Sequence, residues 1–226
     1  MLISALRSAG RARVKPWLNA AAVPWKSFCS VEPGGVAPPA ATTLPSIFRK
    51  HKDYLVVDIE TQQLVDDVGG WSNVDKLTVS VACAYDSRAN EFLSYSEEQM
   101  PSLVTLCSER LVIGFNFRAF DAIVLKRYGF DLRAQDVFDI KNDVEAACKQ
   151  RYLSLNQLAR GTLGEAKSGD GLVAVSLWKQ GRINELTEYC RRDVELTRDV
   201  FVHGMTKGFV LVQNSASLKR VNVQWT

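Results

Sequence analysis

YLVVDIETQ, residues 54–62, is the stretch on which the reading of this chain turns. Tyr54 to Val57 and Ile59 make an apolar run rich in β-branched residues, which predicts a buried strand. Asp58 and Glu60 stand at its end, although such strands are poor in acids and a buried unpaired carboxylate is costly. Side chains alternate along a strand, so the two acids point to one face. Two charges a few ångströms apart repel by about 4 kcal/mol at an effective dielectric near 20. Either Glu60 leaves the sheet for solvent while Asp58 caps a turn, or something cationic meets the pair.

Outward from this strand, Lys76–Asp86 predicts a second strand. Asn90–Ser96 alternates and pairs with it through the turn at Ser87–Ala89. Residues 97–109 read as a helix opened by Ser96, with Glu97 and Glu98 in its first turn. Glu109–Asn116 is a buried strand, Phe117–Tyr128 a helix stopped by Gly129, and Asp136–Ile140 a short strand. Beyond it, Asp139–Arg151, Ser154–Leu163, Leu172–Gln180 and Arg182–Gly204 fit helical periodicity, with Ser154 and Asn184 as candidate caps. His203 then stands near a helix C-terminus, where the dipole favours a cation. A terminal hairpin turns across Ser215–Ser217. Strands first and helices later predict an α/β sheet with an antiparallel edge and helices on its faces.

The net charge of +3 conceals two unlike segments. Residues 1–50 carry seven Lys/Arg against Glu32, a net +6, which leaves −3 for the rest. Six of the seven prolines also fall there, and VEPGGVAPPAATTLP has the composition of a linker. The chain therefore divides into a disordered basic, Pro-rich segment, 1–50, and a folded domain, 51–226. The first ~45 residues have the Arg-rich, acid-poor character of an organelle transit peptide, with a basic arm or an upstream start as the alternatives. No run approaches the ~18 apolar residues of a membrane span. Five widely spaced cysteines without a CxxC pair predict a reduced compartment, the cytoplasm unless residues 1–45 direct the chain to an organelle.

Two further segments place acids where apolar residues are expected. In GFNFRAFD, residues 114–121, Asn116 ends a strand and Asp121 opens the following helix among Phe120, Ala122 and Ile123. A dipole-favoured N-terminal acid would explain the charge alone. In LTEYCRRDVELT, residues 186–197, Tyr189 and Asp193 are four apart and share a helix face, close to the apolar stripe of Ile183, Leu186, Val194, Val200 and Phe201. Arg191 and Arg192 adjoin Asp193 in sequence but do not face it.

Together DIET (Asp58, Glu60), NFRAFD (Asn116, Asp121) and YCRRD (Tyr189, Asp193) resemble the three motifs of the RNase H-like 3′→5′ exonucleases of the DEDDy type. The resemblance covers roughly residues 52–213 and is most similar to bacterial exonuclease domains found alone or attached to helicases. Tyr189 stands four residues before Asp193, and Glu188 occupies the place where the sister type carries His. What the resemblance implies is an RNase H-like fold, with a central mixed five-stranded sheet and helices on both faces. It implies two Mg²⁺ or Mn²⁺ held by Asp58, Glu60, Asp121 and Asp193, since carboxylates suit hard divalent cations. Tyr189 would position the attacking water; free Tyr titrates near ~10, so a proton-accepting role does not follow.

With −3 on the folded part, a single-stranded DNA or RNA 3′ end is the expected substrate; the resemblance adds a helicase as partner, and the lack of a long apolar run predicts no membrane. Thr61 would lie by the terminal nucleotide and Asn116 by the phosphate or sugar, unless Asn116 merely caps the next helix. Lys167 and Ser168, in GEAKSGDG, would touch phosphate or form an ordinary surface turn. Phe120, like Phe117 and Trp178, is a candidate for stacking on a terminal base or for the core. A non-catalytic nucleic-acid-binding or helicase-associated module of the same fold, and a structure-specific endonuclease, are the competing readings.

Overall fold

The computed structural model describes residues 48, 50–166, 169, 171–215 and 217–225. Its central strand is β1, Tyr54–Thr61, the apolar run that carries Asp58 and Glu60 near its end. β1 pairs antiparallel with β2, Val79–Asp86, which pairs antiparallel with β3, Glu91–Ser96. On its other side β1 pairs parallel with β4, Leu111–Gly114, which pairs parallel with β5, Val137–Asp139. The order β3-β2-β1-β4-β5 is a mixed five-stranded sheet, with the antiparallel edge where the sequence places it.

Helices cover both faces, and the alternation of β1 sorts its side chains between them. Leu55, Val57 and Ile59 join Ala82, Ala84 and Val112 against α1, Met100–Ser108, and α2, Asp121–Leu125. Val56, with Cys83, Tyr85 and Ile113, faces the long helix near the C-terminus. Asp58 and Glu60 fall on that second face by the same two-residue period. β1 is apolar because it is buried on both sides.

The helical half follows as α3, Ile140–Cys148, α4, Leu155–Leu163, α5, Gly171–Lys179, and α6, Ile183–Lys207. Ser154 caps α4 in a capping box with Gln157, as its sequence position predicts. Asn184 is not a cap: α6 begins at Ile183, and the residue before it, Arg182, binds Glu185. His203 lies a turn inside α6 against the Phe209 ring, 5.2 Å between centroids. Burial and the nearby Lys207 pull its pKa down, so the dipole does not decide its charge.

The hairpin β6, Phe209–Gln213, and β7, Leu218–Asn222, closes the fold. Gly161 of α4 lies so close to β6 that a Cβ there would meet the Leu211 carbonyl oxygen at 2.3 Å. Thr162 fastens the same contact, bonding both the carbonyl and the N–H of Leu211. At the N-terminal side, Phe48 is buried between Phe138 and Phe201, and Lys50 and His51 both bind Asp136. Among the described residues no helix is long and apolar enough to cross a membrane. The described cysteines, Cys83, Cys107, Cys148 and Cys190, form no disulfide.

Candidate metal centre

Helix α6 crosses β1 at Asp58, and two thiols set how closely. Asp58 pairs with Cys83 across β1 and β2. The Cys190 sulfur lies 3.4 Å from the Asp58 carbonyl and 3.7 Å from its carboxylate, and the Cys83 sulfur lies 3.5 Å from the Thr187 carbonyl. Burial, then Cys83, Asp58 and Glu60, push the Cys190 thiol well up, so it sits there as a neutral packing group. This close crossing presents the next turn of α6, and Asp193 with it, to the end of β1.

One carboxylate oxygen each from Asp58, Glu60 and Asp193 falls within 4.8 Å of the others. Asp58 is half-buried, while Glu60 and Asp193 are buried. At that separation each pair of charges repels by roughly 3–4 kcal/mol at an effective dielectric of ~20. A hard divalent cation bound through oxygen is the group that such a donor set fits. The neighbouring arginines are engaged elsewhere: Arg191 with Glu188 and Glu195, Arg192 with Glu165 and Glu195.

Asp121 stands beside the three rather than among them. It is buried, and its carboxylate accepts the backbone N–H of Ile59 at 3.1 Å. Burial and the Asp58 charge hold its pKa well above the ordinary carboxylate range, partly countered by that hydrogen bond and one from its own backbone. Tyr189, also buried, lies one turn before Asp193 on α6. Gly169 lies against its ring: a Cβ there would stand 3.3 Å from Tyr189 Cε2.

The other sequence candidates are placed as follows. Thr61 is buried at the end of β1, its hydroxyl donating to the Gln63 carbonyl. There β2 carries an extra residue, Ser80, between the partners of Glu60 and Thr61, a bulge that turns the strand end. Phe117 is fully buried core, and Trp178 packs against the core on the α6 face. Phe120 remains half-buried next to Asp121. Lys167 and Ser168 lie outside the described residues.

Asn116 takes a left-handed backbone, φ +64°, which Asn tolerates better than most residues. Its side-chain oxygen accepts from Lys141, so it does not cap α2 with that group. The helix expected over Phe117–Tyr128 is accordingly shorter. Asp139 draws the N–H groups of Asn116 and Arg118 to its carboxylate and caps α3 through Lys141 and Asn142. Regular helix begins only at Asp121 and passes into a 3₁₀ turn at Lys126–Tyr128. Asp139 escaped the sequence reading although it gives the same signal as Asp58, an acid closing an apolar strand.

A mixed α/β sheet in the order 3-2-1-4-5 with helices on both faces is consistent with the RNase H-like fold, and the acid cluster where its central strand meets a late helix is a candidate metal centre. No family model and no curated protein matches the sequence. Solved structures do match the fold. One is a family B DNA polymerase from the hyperthermophilic archaeon Pyrobaculum calidifontis, with a TM-score of 0.51 and 14% identity. The match covers 68% of this chain but 24% of the polymerase chain. At that identity the likeness is one of fold.

Proposed function

We propose that the protein is a divalent-cation-dependent 3′→5′ exonuclease that hydrolyses single-stranded nucleic acid from its 3′ end and releases nucleoside monophosphates. The observation that carries this reading is the convergence of Asp58, Glu60 and Asp193 within 4.8 Å. Asp121 fastened to β1 and Tyr189 one turn before Asp193 complete the residue set. The shared fold with a DNA polymerase supports a nucleic-acid substrate.

Asp58, Glu60 and Asp193, together with Asp121, would hold two Mg²⁺ or Mn²⁺ ions. When bound, such cations stabilise charge on a transferring phosphoryl group and make water a better nucleophile. Tyr189, on the same helix face as Asp193, orients the attacking water. The leaving 3′ oxygen takes up a proton, and the terminal nucleotide departs with its 5′ phosphate. The folded part, at −3 by sequence, lacks the charge for tight binding along a duplex, which favours a single-stranded end. A helicase that supplies such ends is the partner this chemistry suits.

The test is a panel of single-stranded and duplex DNA and RNA with Mg²⁺ and Mn²⁺ titrated, comparing wild type with Asp193→Ala. Metal-dependent hydrolysis reduced at least about 100-fold in the variant is expected, since each such effect is worth several kcal/mol. Equal rates for both proteins would refute a catalytic centre here.

A further inference from the structure

Between β1 and β2 the chain makes a turn that displays a tryptophan. Trp71 is 69% exposed, the largest apolar side chain so displayed among the described residues. Single exposed apolar residues are ordinary on protein surfaces. This one is held in a fixed place. Gly69 and Gly70 adopt φ +88° and +100°, conformations that suit glycine, and bring the chain back on itself. Gly70 N–H donates to Val65, and Asn73 binds Gly70 and Gly69 through its backbone and side chain. Lys179 of α5 pairs with Asp67 of the same turn at 3.6 Å.

The Trp71 ring meets the Phe120 ring edge to face, 6.2 Å between centroids and 68° between planes. Phe120 immediately precedes Asp121, the acid bonded to Ile59 between Asp58 and Glu60. Ile123, 37% exposed, follows on the next turn of α2. An apolar ledge anchored by a rigid aromatic therefore stands beside Asp121, whose carboxylate is bonded to β1 between two of the clustered acids.

We propose that Trp71 is a specificity-determining residue that stacks on an unpaired base near the 3′ end. This rests on the nuclease reading and deepens it. Every base offers a π face, so stacking tolerates any sequence, and a base held inside a duplex stack cannot reach the ledge. Trp71 loses little conformational freedom on binding because its turn and its contact with Phe120 already hold it.

The experiment measures KM for a short oligothymidylate with Mn²⁺, using the full chain. Trp71→Ala raises KM about 5- to 100-fold, the span expected for one base–aromatic contact, and Trp71→Phe recovers most of the loss. On the same strand with abasic residues at its 3′ end, wild type and Trp71→Ala become equal. Equal KM on oligothymidylate, or an undiminished Trp71→Ala penalty on the abasic strand, overturns the role of Trp71 while leaving the nuclease reading intact. If wild type hydrolyses neither strand, the nuclease reading fails and this one with it.

Discussion

The Asp121 carboxylate accepts the backbone N–H of Ile59 at 3.1 Å, between the two acids of the central strand. One hydrogen bond thus ties the start of α2 to the point on β1 where Asp58 and Glu60 diverge from the core. It also keeps a carboxylate buried beside the Asp58 charge, an arrangement unfavourable for the protein by itself.

The cost has a sign. The folded pKa of Asp121 lies above its unfolded value, so the folded state binds the extra proton. Without metal, stability falls as pH rises from the unfolded carboxylate pKa through the folded one. Asp121→Asn keeps an acceptor for Ile59 and removes the charge. It should raise the melting temperature by a few degrees at neutral pH in EDTA while removing metal-dependent hydrolysis, as paired thermal melts and assays would show.

Cation binding should reverse the repulsion among Asp58, Glu60 and Asp193. At about 100 times its dissociation constant, Mg²⁺ or Mn²⁺ adds about 2.7 kcal/mol, or about 5–10 °C for a domain of this size. Asp58→Ala should abolish that shift. A wild-type melt unmoved by saturating metal would count against the centre.

YLVVDIETQ shows an acid pair on an apolar strand, a departure from the local rule that solvent or a turn could also explain; it becomes legible as a site only together with Asp121 and Asp193. Asp193 and Tyr189 were legible through helical spacing. Trp71 was not, since exposure cannot be read from a residue type. The early end of the helix before Asp121 was hidden too, because it is dictated by Asp139, 18 residues beyond Asp121 in sequence, taking the N–H groups of Asn116 and Arg118. Sequence periodicity carries no record of such a long-range bond.

The C-terminal residues are held by close approach. Trp225 lies on α6 at Gly204, where a Cβ would stand 2.1 Å from its ring, and its indole N–H donates to Asp143 at 2.6 Å. Gly204→Ala must displace the indole from a packed core and should cost about 1–3 kcal/mol. Urea unfolding would show it as a lowered midpoint with an unchanged slope.

His203 gives the fold a mild pH dependence. Burial lowers its folded pKa below the unfolded value of ~6.5, so the unfolded state binds the proton first. Stability contributed by the neutral ring is complete above that value and is lost as pH falls from it to the folded pKa. Replacing the ring with leucine should flatten this part of the stability profile, measured by urea midpoints between pH 7 and pH 5, an interval of about two units around the free histidine value. A parallel slope in both proteins would show that His203 does not titrate there.

The most direct measurement follows the fate of a single strand labelled at one end, with Mn²⁺ present. Strand labelled at the 3′ end should lose its label at once as a nucleoside monophosphate. Strand labelled at the 5′ end should shorten one nucleotide at a time, and with Asp58→Ala neither strand should be cut. Internal fragments as the first products, or the same pattern from Asp58→Ala, would contradict a 3′→5′ exonuclease built on these acids.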